Sequence, residues 1–220
     1  MRTKSILYYE ARIAFGLASF LPLLLLPAYT LLALLAWRPP RQPPSITEPI
    51  AVIEALLTLS AGLACAHLMT IEREEMFDGI RRSYPESTWR IPLMRTITAM
   101  LFILVIAFIS AAIFRIAYGV YDLQEVLIPA FIPAFYLGSI ALLVNNISGS
   151  YWVAGGIVAA YWYGDMTSVG RYTGVVYLFN HSRPNPNIDL PLNQWVLVLG
   201  TFLCIGLNIA YTYWRRQRGG

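Results

Sequence analysis

Residues 72–95, EREEMFDGIRRSYPESTWRIPLMR, are the passage whose reading decides the fold. Five acids (Glu72, Glu74, Glu75, Asp78, Glu86) and five arginines (Arg73, Arg81, Arg82, Arg90, Arg95) stand in it, between two runs of membrane length that carry almost no charge. A segment so polar belongs in water, so the apolar runs on either side read as membrane spans joined by an aqueous loop. Met76, Phe77, Ile80 and Tyr84 fall on one stripe of a helix, while Asp78 and Arg82 pair four residues apart elsewhere on its surface. Pro85 ends that helix, because its ring clashes with the carbonyl four residues back. The apolar stripe needs a cover: the lipid surface, the chain's own bundle, or a groove on a separate soluble protein.

The remainder of the chain agrees. With 57% hydrophobic residues and 13% charged, its 220 residues read as spans and short connectors. Eleven of the 16 basic residues lie near the N-terminus (Arg2, Lys4, Arg12), in the charged loop, or at the end of the chain (Arg215, Arg216, Arg218). The positive-inside rule puts those three regions on the cytoplasmic side of a bacterial inner or plasma membrane, with both termini inside. Nucleic acid is not an expected partner, since no soluble domain carries the basic residues.

Residues 1–12 read as an interfacial helix and Ile13 to Trp37 as a retained first span, too long for a signal-peptide core. A proline-rich outer loop leads to a second span, Ile50 to Ile71, whose Gly62 and Ala66 suit close helix packing. Glu54 near its outer end reads as a solvated interfacial carboxylate, with substrate contact as the rarer alternative. Further spans are expected over about Thr96 to Tyr118, with Arg115 snorkelling outward, and about Val126 to Leu143, bent by Pro129 and Pro133. Asn145 and Asn146 are placed in the following turn. The run from Tyr151 to Gly164 is short for a crossing, and a partly embedded outer segment, a re-entrant hairpin around Val169 to Asn180, is expected before the last span, Trp195 to Trp214. The expected fold is an all-α integral membrane protein of about six spans, one transmembrane domain over residues 1–220, with outer loop 165–194.

Lys4 is the lone lysine, so no P-loop exists in this chain and any ATP is handled by a partner. Neither HExxH nor GxSxG occurs. Tyr163-Gly164-Asp165 lacks the preceding glycine of aspartyl intramembrane proteases, and Glu74-Glu75 lacks the arginine that membrane prenyl-protein proteases place four residues on. Cys65 and Cys204 read as small core residues and His67 and His181 as structural, with no metal site indicated. Asn180-His181-Ser182 matches a glycosylation acceptor, a pattern too short to carry a role. Enzymatic readings become the minority expectation.

The layout resembles the membrane-spanning permease subunits of exporter-type ATP-binding-cassette (ABC) transporters. The likeness rests most on the loop: Glu72, Arg73, Glu75, a short helix through Ile80, then Pro85, and Arg95 at the start of the next span. The family often has Gly-Thr after its acids; here Met76-Phe77 follow Glu75 and the glycine is displaced to Gly79. The resemblance implies a coupling helix seated on a cytoplasmic ABC ATPase, with Met76, Phe77, Ile80 and Tyr84 as buried anchors and Glu72, Glu75, Arg81 and Arg82 orienting it. It also implies a second permease chain, identical or related, and no cofactor in this chain, ATP and magnesium residing on the ATPase. Two other readings compete: a non-transport immunity or assembly factor whose loop binds a partner, and a lipid-modifying enzyme, for which the spans offer only Asn208, His67 and hydroxyls.

Overall fold

The computed structural model describes residues 24, 28, 47–68, 90–118 and 122–218. Among them every regular element is helical: α1 (Thr47–His67), α2 (Arg90–Tyr118), α3 (Leu123–Ser148), α4 (Tyr151–Ser168), one 3-10 turn (Gly174–Val176) and α5 (Leu190–Arg218). Stretches of α1, α2, α3 and α5 are long and apolar enough to cross a membrane: Ile50–His67, Leu93–Ile113, Gln124–Ser148 and Leu190–Arg215. Helix α4, of 18 residues, is not among them: glycines, tyrosines and tryptophans dilute its aliphatic residues, and Asp165, Thr167 and Ser168 end it on a polar note. The expected interfacial helix at 1–12, the expected first span at Ile13 to Trp37 apart from residues 24 and 28, and the expected docking residues Glu72, Glu75, Met76, Phe77, Ile80, Arg81, Arg82 and Tyr84 lie outside the described residues.

Cross-helix contacts fix the directions. Arg95 near the start of α2 reaches Leu68 just past the end of α1, so α1 and α2 are antiparallel. Asn145 late in α3 reaches Ala66 late in α1, and Asn146 reaches Asn208 and Thr212 late in α5, so α1, α3 and α5 run one way. Trp162 late in α4 reaches Ala55 early in α1, which returns α4 the other way. The bundle therefore has two ends. The base gathers the end of α1, the start of α2 and the ends of α3 and α5; the crown gathers the start of α1, the end of α4 and the start of α5.

Helix α3 is the hub, with α1 its most extensive neighbour and α5 the next. Small residues let it be approached: Ala130, Ala134, Leu137 and Ala141 form a fully buried stripe against Ile53, Leu57, Ala61 and Cys65 of α1. In hydrocarbon, where lipid tails are as apolar as leucine, van der Waals fit of this kind replaces the hydrophobic effect as the packing force. Gly62 is where α1, α3 and α4 come closest: a Cβ there would stand 2.5 Å from Val158 Cγ1 and 3.3 Å from Leu137 Cγ. The outward faces are apolar too, including Leu101, Val105 and Phe108 on α2 and Leu199, Phe202 and Leu203 on α5. Such surfaces suit a helix bathed in lipid.

Several sequence expectations are corrected. Helix α3 runs on through Asn145 and Asn146 to Ser148, where Gly149 (φ 68°) turns out of the helix and gives its N–H to the Asn145 carbonyl; the asparagines are thus helical. At the other end Asp122 caps the helix by accepting the Gln124 N–H at 3.0 Å. Pro129 and Pro133 sit buried inside that helix. Helix α4 extends to Ser168, four residues beyond the expected Gly164. Cys65 is buried as expected, whereas Cys204 is only partly so. Between α4 and α5, residues 169–189 form no hairpin of regular elements but a strap of successive turns and the single 3-10 turn. Its Tyr177, Leu178 and Phe179 are at most 1% exposed, so the strap is folded into the crown.

Candidate functional site

The residues expected to dock a partner belong to the segment between α1 and α2. What the described residues show is how the bundle holds that segment's two ends. The last carbonyls of a helix have no partner within it and must find one. Asn145 Nδ2 donates to the Ala66 carbonyl, and Arg95 Nη1 donates to the Leu68 carbonyl at 3.1 Å. Both side chains are buried, Arg95 at 2% exposure, which ties the exit of α1 to the first turns of α2 and to α3. Beside them Asn146 Nδ2 donates to Asn208 Oδ1 at 2.6 Å and Thr212 Oγ1 at 2.8 Å, bringing in α5. His67 packs edge-on against Tyr151 at 5.4 Å, bringing in α4. All five helices meet at the base through polar or aromatic contacts. The end of α1 and the start of α2, which residues 69–89 join in sequence, both lie at this braced point.

The crown holds a second polar assembly that the sequence did not announce. Glu54, expected to be solvated, is 1% exposed. The strap covers it, and its carboxylate accepts the backbone N–H of Ser182 at 3.1 Å, from 128 residues further along the chain. Asp165, set aside as part of a failed protease motif, is also fully buried, in the last turn of α4. One of its oxygens accepts the Thr173 hydroxyl and the other the Leu178 N–H at 2.9 Å, so a single carboxylate folds the start of the strap back onto its own helix. Asn193 of α5 holds the strap from the other side, donating to the carbonyls of Val175 at 2.6 Å and Tyr177 at 2.9 Å. Tyr161 donates to the Val176 carbonyl at 2.8 Å.

Aromatic rings fill the space beneath. Phe179 meets Trp162 and Tyr177 edge-on, with centroids 6.1 and 6.0 Å apart. Trp162 Nε1 donates to the Ala55 carbonyl at 2.9 Å, one residue along from Glu54. Burial pushes the Tyr177 phenol up to about 12, with the nearby Asp165 and Glu54 charges adding to the effect. Burial also holds the His181 imidazole below its ordinary value. At neutral pH both groups are therefore uncharged.

Chemically, the base is a junction of polar and aromatic contacts between helices, and the crown is a hydrogen-bonded cover over an aromatic seam. Among the described residues no three His, Cys, Asp or Glu side chains come together as a metal site. Reasoning from sequence located Glu54 and Asp165 but missed their function. The available signal was the presence of acids in otherwise apolar helices, where a carboxylate implies a specific partner.

No family model, no curated protein and no solved structure matches this chain.

Proposed function

We propose that this chain is the permease subunit of an ABC transporter. Two permease chains form a pathway through the membrane, driven by separate cytoplasmic ATPase subunits, and the cargo exported is amphipathic or hydrophobic, such as a peptide, lipid or drug. The observation that carries this reading is the braced base: the charged segment at 69–89 joins, in sequence, the end of α1 to the start of α2, where Arg95 and Asn145 fasten the end of α1 to α2 and α3. A lever needs such an attachment. Motion delivered to a loose loop would dissipate in the loop, whereas motion delivered at this junction displaces three helices together.

In this mechanism the stripe Met76, Phe77, Ile80 and Tyr84 seats in a cleft of the ATPase, with Glu72, Glu75, Arg81 and Arg82 fixing its orientation from the rim. ATP acts by binding the closed ATPase pair more tightly than the open pair, and that difference in affinity shifts the attached permeases between inward- and outward-facing states. The base is then cytoplasmic, which places Arg215 and its basic neighbours on the inner side. The exposed apolar face of α5 is available to lipid or to the second permease.

The test is isolation from the native membrane of the wild-type chain and of a variant carrying Phe77→Asp and Ile80→Asp together. A P-loop ATPase that accompanies the wild type and is absent from a folded double variant supports the reading. An ATPase retained by the double variant removes the stripe from the docking surface. A wild type isolated under conditions that preserve complexes, yet without any ATPase, refutes the permease assignment.

A further inference from the structure

The strap is fastened mostly to its own chain neighbours. Asp165, Tyr161 and Met166 on α4 and Asn193 on α5 hold it by hydrogen bonds, and those helices flank it in sequence. The Ser182 N–H to Glu54 bond is different: it reaches α1, the helix that runs on to the base. Ser182 thus sits over the seam where Trp162 of α4 touches Ala55 of α1.

The closed strap is also held against opposing forces. Its first residue, Val169, has φ 54°, a left-handed conformation that a β-branched side chain strongly resists. Asn185, near the far end, holds that residue by donating to the Val169 carbonyl at 2.8 Å. Gly170 follows at φ 74° beneath the Tyr177 ring. Three buried side-chain atoms here have no protein hydrogen-bond partner: Ser168 Oγ, Tyr177 Oη and His181 Nδ1. Water would satisfy each of them if the strap lifted, and Val169 would relax. Opposing this are the burial of Tyr177, Leu178 and Phe179 and the bonds to Glu54, Asp165 and Asn193.

We propose that residues 169–189 are a hinged lid over the crown end of the α1–α4 seam, sprung at Val169 and latched to α1 by Glu54. Lifting it withdraws Phe179 from Trp162 and opens the seam beside Ala55 to the outside. Loss of the latch shifts the balance toward opening, against the remaining bonds to Asp165 and Asn193. The proposal stands apart from the permease reading, since neither an ATPase nor a cargo enters it; within that reading, the lid is the outer gate and α1 connects it to the base.

Hydrogen exchange read by mass spectrometry on the full chain in lipid nanodiscs tests this. For Glu54→Ala, amides at 177–186 should exchange about tenfold faster or more, the consequence of leaving the Ser182 N–H without its acceptor, while α1 and α3 keep wild-type protection. Glu54→Gln, whose amide oxygen still accepts the Ser182 N–H, should fall between the two. Val169→Asn, at an exposed position, gives a residue that tolerates the left-handed conformation and should slow exchange of the same amides several-fold, roughly fivefold. Unchanged exchange in Glu54→Ala overturns the latch. Acceleration spreading through α1 and α3 overturns it as well, because Glu54 is then a support for the whole bundle. Exchange in Val169→Asn that equals or exceeds the wild type overturns the sprung hinge, and so does Glu54→Gln opening as far as Glu54→Ala.

Discussion

Gly62→Ala tests whether the bundle is packed as tightly as the contacts at Gly62 imply. In an exposed helix the change is favourable by about 1 kcal/mol, because alanine restricts the unfolded chain and prefers the helix. Here the added Cβ would lie 2.5 Å from Val158 Cγ1, 3.2 Å from Val158 Cγ2 and 3.3 Å from Leu137 Cγ. Contact between carbons is comfortable near 3.5–4.0 Å, so the valine must retreat by about 1 Å. Val158 is fully buried and cannot rotate into free space. Overpacking of this degree costs about 1–3 kcal/mol, which leaves the variant less stable by up to about 2 kcal/mol after the helical gain of about 1 kcal/mol. Val158→Ala removes both methyl groups in the way. Alone it costs about 1.5 kcal/mol from lost contact and the cavity; combined with Gly62→Ala it should recover at least about 1 kcal/mol relative to the sum of the singles. Reversible unfolding in mixed detergent micelles, followed for the four members of the cycle, measures the coupling. A strictly additive double variant, or a Gly62→Ala more stable than wild type, would refute the three-helix contact.

Two further predictions concern the crown. Asp165→Ala deprives the buried Leu178 N–H and the Thr173 hydroxyl of their acceptor and should cost about 2–3 kcal/mol, with Thr173→Val costing about 1 kcal/mol; detergent unfolding midpoints rank the two, and equal effects would contradict the shared carboxylate. Because burial holds His181 below its ordinary value of 6.5, the unfolded chain takes up a proton before the folded one does. Stability is then unaffected above that value and is lost as pH falls through it toward the depressed folded value. Unfolding midpoints measured from pH 8 to pH 5 should show a slope in the wild type that flattens in His181→Gln, and an identical slope in both would exclude His181.

The spans that the sequence revealed are those in which one property, apolar length, decides the outcome. The runs at Ile50, Thr96, Val126 and Trp195 became α1, α2, α3 and α5 with only their ends revised. Polar residues that act at a distance were read differently. Glu54 lies next to a proline-rich loop, and proximity to water suggested solvation, but its partner Ser182 is 128 residues away and no periodicity connects the two. Asp165 reads in the sequence as part of an incomplete protease motif; its use as an acceptor for two donors of the strap follows from a chain reversal that turns alone do not encode. Asn145 and Asn146 looked like turn residues because asparagine is common there. Inside a membrane bundle the same amide serves as a bond between helices, which is why α3 continues through them. The stripe between Glu72 and Tyr84 lies outside the described residues and remains the property of a sequence pattern.

The long-range fastenings at both ends of α1 have a consequence for how the protein is made. Arg95 is 27 residues beyond Leu68, and Asn145 is 79 residues beyond Ala66. At about 5–20 residues per second of synthesis, the carbonyl of Ala66 waits roughly 4–16 s for its partner, and the carboxylate of Glu54 roughly 6–26 s for Ser182. During that interval the newborn helix has an unfinished end and an unescorted acid, both of which favour the water boundary over hydrocarbon. Insertion of α1 is therefore provisional until α3 arrives, and its final depth is set only when Ser182 has left the ribosome.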